Sequence, residues 1–188
     1  MQKIYCYYAC YSMKNPGENL PDEHKAGRAL LAIALDRVFG LDLSRETLGI
    51  GSHGKPYIEG RPNLHFNISH SGNYVVCAIA PDSVGIDIQL HKDIDFEKVR
   101  KKAFRPEEIQ EMEKSQDPKS YFFNRWTLKE AWLKWKGIGI SRDLTCDMSS
   151  GWKTFLDFGA GVSCALCTSK EIPLEMVELD WEFLTQIV

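Results

Sequence analysis

The chain of 188 residues carries a formal net charge of −3, with 26% charged and 44% hydrophobic residues. This composition suits a globular protein with a sizeable core, built as one large domain or two small fused halves. The slight excess of acid argues against nucleic acid as a bulk electrostatic partner.

The sequence shows no membrane signal. No apolar run reaches a membrane-spanning length, and residues 1–5 lack the apolar core of a signal peptide. We therefore expect a cytoplasmic protein with no membrane partner. Most of the six cysteines lie in apolar, strand-like segments, and the C-x-x-C pair Cys164 and Cys167 has no second pair to complete a zinc site. Buried, reduced thiols are favoured over a metal or redox motif.

The first half of the chain is predicted to contain a strand, a helix and further strands. Residues 4–13 are rich in Tyr, Cys and Ile and predict a strand. A helix is predicted to begin near Asn19, a candidate N-cap, and to end at Gly40. Residues 64–68 alternate and predict a strand that ends in a hydroxyl-rich loop at 69–72. Two apolar strands follow, at residues 74–80 and 84–90.

The second half of the chain is richer in helices. Residues 94–104 predict a basic amphipathic helix, and a second helix begins at Pro106. A third helix, long and aromatic, is predicted from Asp117 to Gly137. Three strands are predicted after it, at residues 152–158, 162–168 and 176–183.

The order strand, helix, strands occurs once before Asp87 and again, with more helices, after it. This order predicts an α+β protein whose two α+β halves, residues 1–84 and 85–188, pack into one compact body. The sequence contains no internal repeat strong enough to establish the two halves by itself.

An acidic residue interrupts the apolar strand at residues 84–90. Asp87 and Gln89 are two positions apart and face one side of the strand, while Ile86 and Ile88 face the other. A lone buried carboxylate is costly, so Asp87 needs solvent, a partner or a metal ion. A half-exposed strand with a polar outer face is the simpler alternative.

The third predicted helix places charges among aromatic residues. Trp126, Glu130 and Lys134 share one face at four-residue spacing, and Lys129 lies on the neighbouring face. The surrounding aromatic residues indicate a largely buried helix, in which charged groups need partners or ligands. The alternative is an ordinary Glu–Lys pair on a solvated helix, worth about 0.3 kcal/mol.

Together these residues suit a metal ion and phosphates. Mg²⁺ is usually held by one or two carboxylates with substrate phosphates and water, and Asp87 and Glu130 would supply the carboxylates. Ser69 would donate a hydroxyl hydrogen bond. The residues that would bind phosphate oxygens are Arg28, Lys55, His70, Lys129 and Lys134. The combination predicts a substrate with several phosphates.

Three motifs in order carry a resemblance to a known family. They are Phe-Asn-Ile-Ser-His-Ser at 66–71, Gly-Ile-Asp-Ile at 85–88 and Trp-Thr-Leu-Lys-Glu-Ala-Trp-Leu-Lys at 126–134. The chain resembles the 4′-phosphopantetheinyl transferase superfamily, in its larger monomeric type that activates surfactin synthetase. The similarity covers residues 50–145 well and both ends loosely. It implies two similar α+β halves related by a pseudo-twofold axis, with the active site at their interface, in a monomer.

The resemblance also implies a reaction and a set of site residues. The phosphopantetheine arm of coenzyme A, the substrate, would move to a serine of an acyl or peptidyl carrier protein, with release of adenosine 3′,5′-bisphosphate. Asp87 and Glu130 match ligands of Mg²⁺, which Mn²⁺ could replace. Gln89 stands where many members have Glu, so water or its amide oxygen would fill the gap. The positions that match coenzyme A contacts are Arg28, Lys55, Ser69, His70 and Lys134.

The identity of the general base stays open at this point. Glu130, directly or through water, is the preferred base for the carrier serine. A glutamate that also binds a metal ion has a depressed pKa, which makes it a poor base, so Lys134 or a metal-bound water are the alternatives. The rival function is a non-catalytic module that binds coenzyme A or a carrier protein. Gln89 favours that rival, whereas Asp87, Glu130 and Lys134 favour the enzyme. A metal-dependent phosphohydrolase of another fold is a second rival, which the ordered motifs disfavour.

A basic segment follows the Asp87 strand. It contains Lys98, Arg100, Lys101, Lys102 and Arg105, in a chain that is otherwise slightly acidic. Carrier proteins of the resembled family present an acidic helix beside the reactive serine, so the carrier is expected to dock near residues 98–105. Val99 and Phe104 would supply the apolar centre of the contact. An ordinary solvated helix face is the alternative.

Overall fold

The computed structural model describes residues 3–12, 22–139 and 144–185, with residues 96, 97 and 185 described by their backbone alone. Its strands are β1 Ile4–Cys10, β2 Leu48–Ile50, β3 Pro56–Ile58, β4 His65–Ser71, β5 Tyr74–Ala80, β6 Val84–Leu90, β7 Trp152–Leu156, β8 Val162–Thr168 and β9 Leu174–Glu178. Its α-helices are α1 Glu23–Phe39, α2 Phe96–Ala103, α3 Pro106–Lys114, α4 Pro118–Lys136 and α5 Trp181–Thr185. A 3₁₀ turn covers Leu43–Arg45. Across these ranges, no helix combines the length and the apolar character needed to cross a bilayer.

Two sheets organise the fold, with the small β2–β3 hairpin beside them. The first sheet has the strand order β4-β5-β1-β9, in which only the β1–β9 pair is parallel. The second sheet has the order β6-β8-β7 and is antiparallel throughout. Helix α1 packs on the first sheet and α4 on the second. These helices and sheets confirm the predicted α+β class.

The chain returns to the first sheet at its C-terminal end. Strand β9 pairs with β1, and α5 packs against α1, although both elements belong to the predicted second half. The division into residues 1–84 and 85–188 therefore remains a prediction that the strand pairing does not follow throughout. The strand predicted at 176–183 is wrong at its end, because β9 stops at Glu178 and α5 begins after Asp180. Asp180 caps that helix by accepting a hydrogen bond from the backbone N–H of Glu182.

Helix α1 is fixed at both ends by its sequence. Asp22 accepts hydrogen bonds from the backbone N–H groups of His24 and Lys25, which marks it as the N-cap. The predicted cap, Asn19, lies outside the described residues. Gly40 ends the helix in the left-handed conformation, as predicted. On the face toward the sheet, a Cβ at Gly27 would lie 2.8 Å from the Ile68 side chain. Glycine therefore lets α1 approach β4 closely.

Strand β4 is longer than the sequence predicted, because the expected loop at 69–72 continues the strand to Ser71. Its backbone pairs with β5, while its odd-numbered polar side chains face β6. They accept hydrogen bonds from β6 backbone N–H groups: Asn67 Oδ1 from Ile86 at 2.9 Å, Ser69 Oγ from Ile88 at 3.3 Å and Ser71 Oγ from Leu90 at 3.0 Å. Side chains of the first sheet thereby satisfy the unpaired edge of the second.

Helix α4 runs over the second sheet in close contact with β6. Asp117 caps its N-terminus and Gly137 ends it in the left-handed conformation, as the sequence predicted. A Cβ at Gly85 would overlap the carbonyl oxygen of Ala131 and the backbone of Trp135. The glycine of the Gly-Ile-Asp-Ile motif therefore permits the contact that brings Asp87 to the helix.

Candidate active site

The Asp87 carboxylate lies at the centre of the candidate site and is 1% exposed. Its Oδ1 accepts hydrogen bonds from Lys134 Nζ at 2.6 Å and from Ser69 Oγ at 2.7 Å. Lys134 Nζ also donates to Ser69 Oγ at 2.9 Å. The three residues come from β6, α4 and β4, so the fold brings the three sequence motifs together at one point.

Glu130 lies one helical turn before Lys134 and is also buried. Burial raises the pKa of Glu130 to about 7, and the negative charge of Asp87 and a hydrogen-bond contact with it act in the same direction. The charge of Lys134 and a hydrogen bond from Trp126 lower that pKa without outweighing the rise. The shared helix face of Trp126, Glu130 and Lys134 is thus present in the structure, and it faces Asp87.

The donor set of this cluster fits a small divalent cation. Mg²⁺ prefers oxygen ligands and takes one or two protein carboxylates when substrate phosphates and water complete its shell. Asp87 and Glu130 are two such carboxylates in direct contact, and the raised pKa of Glu130 follows from their burial together. Gln89 adjoins them, because its Nε2 donates a hydrogen bond to Asp87 Oδ2 at 3.1 Å.

Lys55 reaches the site from the turn between β2 and β3. Its Nζ donates hydrogen bonds to Val84 O at 2.8 Å, Ser83 Oγ at 3.1 Å and Trp135 O at 3.4 Å. Burial lowers the pKa of Lys55 to about 8, and the charge of Asp82 opposes this shift. A cavity of ≈ 240 Å³ lies beside it, lined by His53, Gly54, Lys55, Pro56, Asn67, Leu133, Lys134, Gly137 and Gly139. Lys55 and Lys134 therefore face a common space.

His70 and Arg28 form a group of their own at α1. His70 follows Ser69 on β4 and so points to the opposite face of the strand, toward α1. There its Nδ1 lies 3.1 Å from Glu23 Oε1, and its ring meets the ring of His24 edge-on. Arg28 is exposed on α1, one turn after His24. These two predicted contacts of coenzyme A are thus separated from the Asp87 cluster by the thickness of a strand.

Lys129 does not join either group, and its predicted role as a phosphate contact is corrected here. Its side chain is 0% exposed, and its Nζ donates to Glu108 Oε2 at 2.7 Å, Ala103 O at 3.0 Å and Leu144 O at 2.6 Å. Burial lowers the pKa of Lys129, and the contact with Glu108 opposes that shift. Because three acceptors enclose the ammonium, it ties α4 to α3 instead of facing a ligand.

Comparison with known proteins agrees with the geometry. A model of the 4′-phosphopantetheinyl transferase superfamily matches residues 83–173, and a model of the 4′-phosphopantetheinyl transferase N-terminal region matches residues 22–82. The two matches adjoin and together run from residue 22 to residue 173.

The chain belongs to the 4′-phosphopantetheinyl transferase superfamily.

Several curated members of the superfamily are similar to it. A 4′-phosphopantetheinyl transferase of Bacillus subtilis is 37% identical over 127 residues, which cover 65% of this chain and 56% of the relative. The 4′-phosphopantetheinyl transferase Sfp of Bacillus subtilis strain 168 is 36% identical over the same shares of the two chains. The 4′-phosphopantetheinyl transferase HetI of a Nostoc species is 35% identical over 124 residues, 62% of this chain and 52% of the relative. The chain spans about half the length of these relatives.

The contacts of four polar residues in this superfamily member were not predicted from the sequence. Ser69 was predicted only as a hydrogen-bond donor to phosphate, and Asn67 and Ser71 were not predicted as acceptors for β6. Their alternation along one strand is the signal that could have revealed them. Glu108 was not singled out in the sequence either, yet it is 2% exposed and binds both Lys129 and Arg125. A pair between two different helices produces no characteristic spacing that could be recognised in the sequence.

The basic segment of this superfamily member is partly neutralised. Arg100 pairs with Glu113 at 2.9 Å and Lys98 with Asp95 at 3.1 Å, whereas Lys101 and Lys102 are exposed. Phe104 is 2% exposed and cannot supply an apolar docking contact, which corrects that part of the prediction. Val99 instead lines a cavity of ≈ 210 Å³ together with Gln89, Leu90, Lys92, Ile94, Phe122, Phe123 and Trp126. This cavity adjoins the Asp87 cluster through Gln89.

Proposed function

We propose that the chain is a 4′-phosphopantetheinyl transferase that acts on coenzyme A and an acyl or peptidyl carrier protein. The observation that carries the proposal is the convergence of Ser69, Asp87, Glu130 and Lys134 from three separate motifs at one buried cluster. Superfamily membership and the names of the similar proteins support it. We further propose that it works as a monomer in the cytoplasm, in keeping with its six free cysteines.

The transfer is a phosphoryl-type displacement. The hydroxyl oxygen of the carrier serine forms a bond to the β-phosphorus of coenzyme A as the bond to the bridging oxygen breaks, and adenosine 3′,5′-bisphosphate leaves with the electron pair. Lys134 would place a positive charge beside the pyrophosphate oxygens, where charge develops. Lys55, which faces the same cavity, would bind another part of the substrate.

Glu130 would take the serine proton, because a base works best when its pKa lies near the operating pH and burial raises the pKa of Glu130 to about 7 in the metal-free protein. A metal ion bound to Glu130 would lower that pKa, and Lys134 or a metal-bound water would then be the base. Asp87 and Glu130, with Gln89 beside them, would hold Mg²⁺ or Mn²⁺. The bound ion would supply positive charge for the pyrophosphate oxygens. Ser69 would keep Asp87 oriented through its hydrogen bond.

The carrier protein is proposed to dock at the rim near residues 98–105. Exposed Lys101 and Lys102 give this rim its positive charge, and Val99 borders the cavity beside Gln89. An acidic carrier helix would be steered to this rim by charge and would find an apolar contact at its centre.

The decisive experiment is a transfer assay. Purified protein is incubated with apo carrier protein, coenzyme A and Mg²⁺, and the carrier is analysed by mass spectrometry. A mass gain of one phosphopantetheine group is expected on the wild-type carrier and none on a carrier whose reactive serine is replaced by alanine. The Asp87→Asn variant should transfer at least ~10²-fold more slowly. Binding of coenzyme A or carrier without any mass gain would instead favour the non-catalytic module.

A further inference from the structure

A short chain of hydrogen bonds joins the end of β6 to β8 and α4, next to the proposed rim for the carrier protein. His91 follows β6 directly, and its Nε2 lies 2.7 Å from Ser163 Oγ on β8. The Ser163 hydroxyl in turn donates to Asn124 Oδ1 on α4 at 2.6 Å. Because that hydroxyl gives its only hydrogen to Asn124, its oxygen is left to accept a hydrogen bond from an N–H at His91 Nε2. Ser163 is 2% exposed, so the middle of this bridge is shielded from water.

The backbone of His91 continues the strand on which the site residues lie. Its N–H donates a hydrogen bond to Gly161 O at 2.8 Å, which extends the antiparallel pairing of β6 with β8 beyond Leu90. Alternate residues of an extended chain face the same side, so His91 shares its face with Asp87 and Gln89. His91 therefore belongs to the polar face of β6 that lies against α4.

The His91 ring contacts α4 far from Lys134. It stacks on Phe123, with the ring centroids 4.5 Å apart and an angle of 11° between the ring planes. Asp87 contacts the same helix through Lys134, which lies about 16 Å further along the helix axis. These two contacts, at separate points of the helix, fix how β6 crosses α4.

We propose that His91 is a positioning residue for the carrier protein, which holds the proposed rim, residues 92–105, against α4 through its hydrogen-bonded bridge. This inference rests on the proposed function, since it concerns the partner of the same site. A buried bridge suits this role, because hydrogen bonds are stronger where water does not compete for them. A further link between this stretch and α4 is the ion pair of Asp93 and Lys119, but its side chains are exposed and such pairs contribute little.

The bridge also lies beside the cavity that borders the rim. Lys92 and Ile94 line this cavity of ≈ 210 Å³ together with Phe123, on which the His91 ring stacks. Loss of the bridge would release both the start of the rim and one wall of the cavity. The hydrogen bonds of the Asp87 cluster do not involve His91 and would remain. The bridge should therefore matter for the carrier protein and much less for coenzyme A.

The first test measures carrier binding without coenzyme A, so it does not depend on transfer. The full chain is titrated by calorimetry with apo acyl carrier protein or apo peptidyl carrier protein, whichever the wild type binds more tightly. His91→Ala and Ser163→Ala should each raise the dissociation constant at least about 5-fold, as expected for the loss of a coupled contact. Because both variants break the same bridge, the double variant should bind no more weakly than the weaker single variant. His91→Gln should recover most of the affinity, since its amide can donate to Ser163 in place of the imidazole.

The second test uses the transfer reaction to separate positioning from general damage. His91→Ala should raise the Michaelis constant for carrier protein by a similar factor. Its kcat and its Michaelis constant for coenzyme A should stay within about 2-fold of the wild type, because only carrier binding is weakened. His65→Ala is the matched control: it removes another half-buried histidine, at the start of β4, and should bind and modify the carrier like the wild type. Circular dichroism checks that each variant is folded.

The two tests also distinguish this inference from the proposed reaction. A wild type that binds carrier but gives no mass gain would refute the transferase, while weaker carrier binding by His91→Ala would still support the positioning role. The positioning role is overturned if the wild type does not bind carrier, if His91→Ala and Ser163→Ala bind it as tightly as the wild type, or if their losses multiply in the double variant. An equal rise of the Michaelis constants for carrier and coenzyme A would overturn it as well.

Discussion

At the scale of single residues, the candidate site depends on how one buried acid is compensated. Among the residues that the structure describes, Asp87 pairs with one cation, Lys134, and it receives further hydrogen bonds from Ser69 and Gln89. The same ammonium group of Lys134 therefore has to compensate the charge of Glu130 as well as that of Asp87. Two acids beside one lysine leave excess acid in a water-poor place, which costs stability and would favour a bound cation.

This cost predicts how the stability of the metal-free protein depends on pH. The pKa of Glu130 is raised to about 7 in the folded state, above its value in the unfolded chain of about 4.3. Between these values the folded state binds more protons, so the free energy of unfolding should fall as pH rises from about 5 to 7. Urea unfolding across this range measures it. Glu130→Gln should flatten the fall, and a fall of equal slope in that variant would assign the titration to another group.

Gln89 predicts weak metal binding in the absence of nucleotide. Its amide supplies no charge, so Asp87 and Glu130 alone would hold Mg²⁺, with the pyrophosphate completing the shell. Calorimetry should show feeble Mg²⁺ binding to the free protein and tighter binding in the presence of coenzyme A. Gln89→Glu should strengthen binding to the free protein, whereas Gln110→Glu, on exposed α3, should not. Tight binding by the wild type alone would contradict this account.

At the scale of elements, the sequence predicted the features that depend on neighbouring residues, such as helix ends and the faces of a strand. Asp117 and Gly137 fix the ends of α4, and the Asp87–Gln89 alternation fixes the faces of β6. The features that were not predicted depend on contacts between residues far apart in the sequence. The Ser71 hydroxyl accepts a hydrogen bond from the distant strand β6, and a buried partner on another helix turns Lys129 away from the cleft. No spacing within one element records either contact.

Because β6 and α4 are in close contact at Gly85, we expect even the addition of one methyl group at this position to lower the stability strongly. In Gly85→Ala the new methyl group would overlap the backbone of α4, which has no side-chain freedom with which to yield. We expect the free energy of unfolding to drop by about 3 kcal/mol, with a parallel loss of transfer activity. Gly40→Ala is the control, because its Cβ meets no atom within 4 Å and only backbone strain remains. Equal losses in the two variants would refute the close-contact explanation.

Variants of Lys129 test whether its buried ion pair with Glu108 stabilises the fold or whether Lys129 binds the substrate. Removing the ammonium in Lys129→Met leaves Glu108 buried without its lysine, which should cost about 3–5 kcal/mol of stability. Glu108→Gln in the same chain should recover part of this loss, as a double-mutant cycle of unfolding measurements would show. In the folded double variant the Michaelis constant for coenzyme A should be close to that of the wild type. A large rise there would restore Lys129 as a phosphate contact.

At the scale of the whole molecule, two sheets meet through side chains instead of a shared backbone ladder. Asn67, Ser69 and Ser71 cover the edge of β6, and α4 lies over the second sheet with its charged face toward this junction. A polar junction of this kind places Asp87 and Lys134 where the sheets adjoin. The same placement leaves the following segment, residues 91–105, at the rim of the cluster.

This position gives the last prediction, which concerns the carrier protein. Lys101→Glu and Lys102→Glu reverse the two exposed charges of the rim without disturbing the pairs of Lys98 and Arg100. Each should raise the Michaelis constant for an acidic carrier protein and leave that for coenzyme A unchanged, because opposite charges mainly speed the encounter. Added salt should raise the wild-type constant for carrier and have less effect in the variants. Lys170→Glu, an exposed reversal after β8, is the matched control. If the rim variants and this control behave alike in carrier saturation and in salt dependence, the carrier docks on another face.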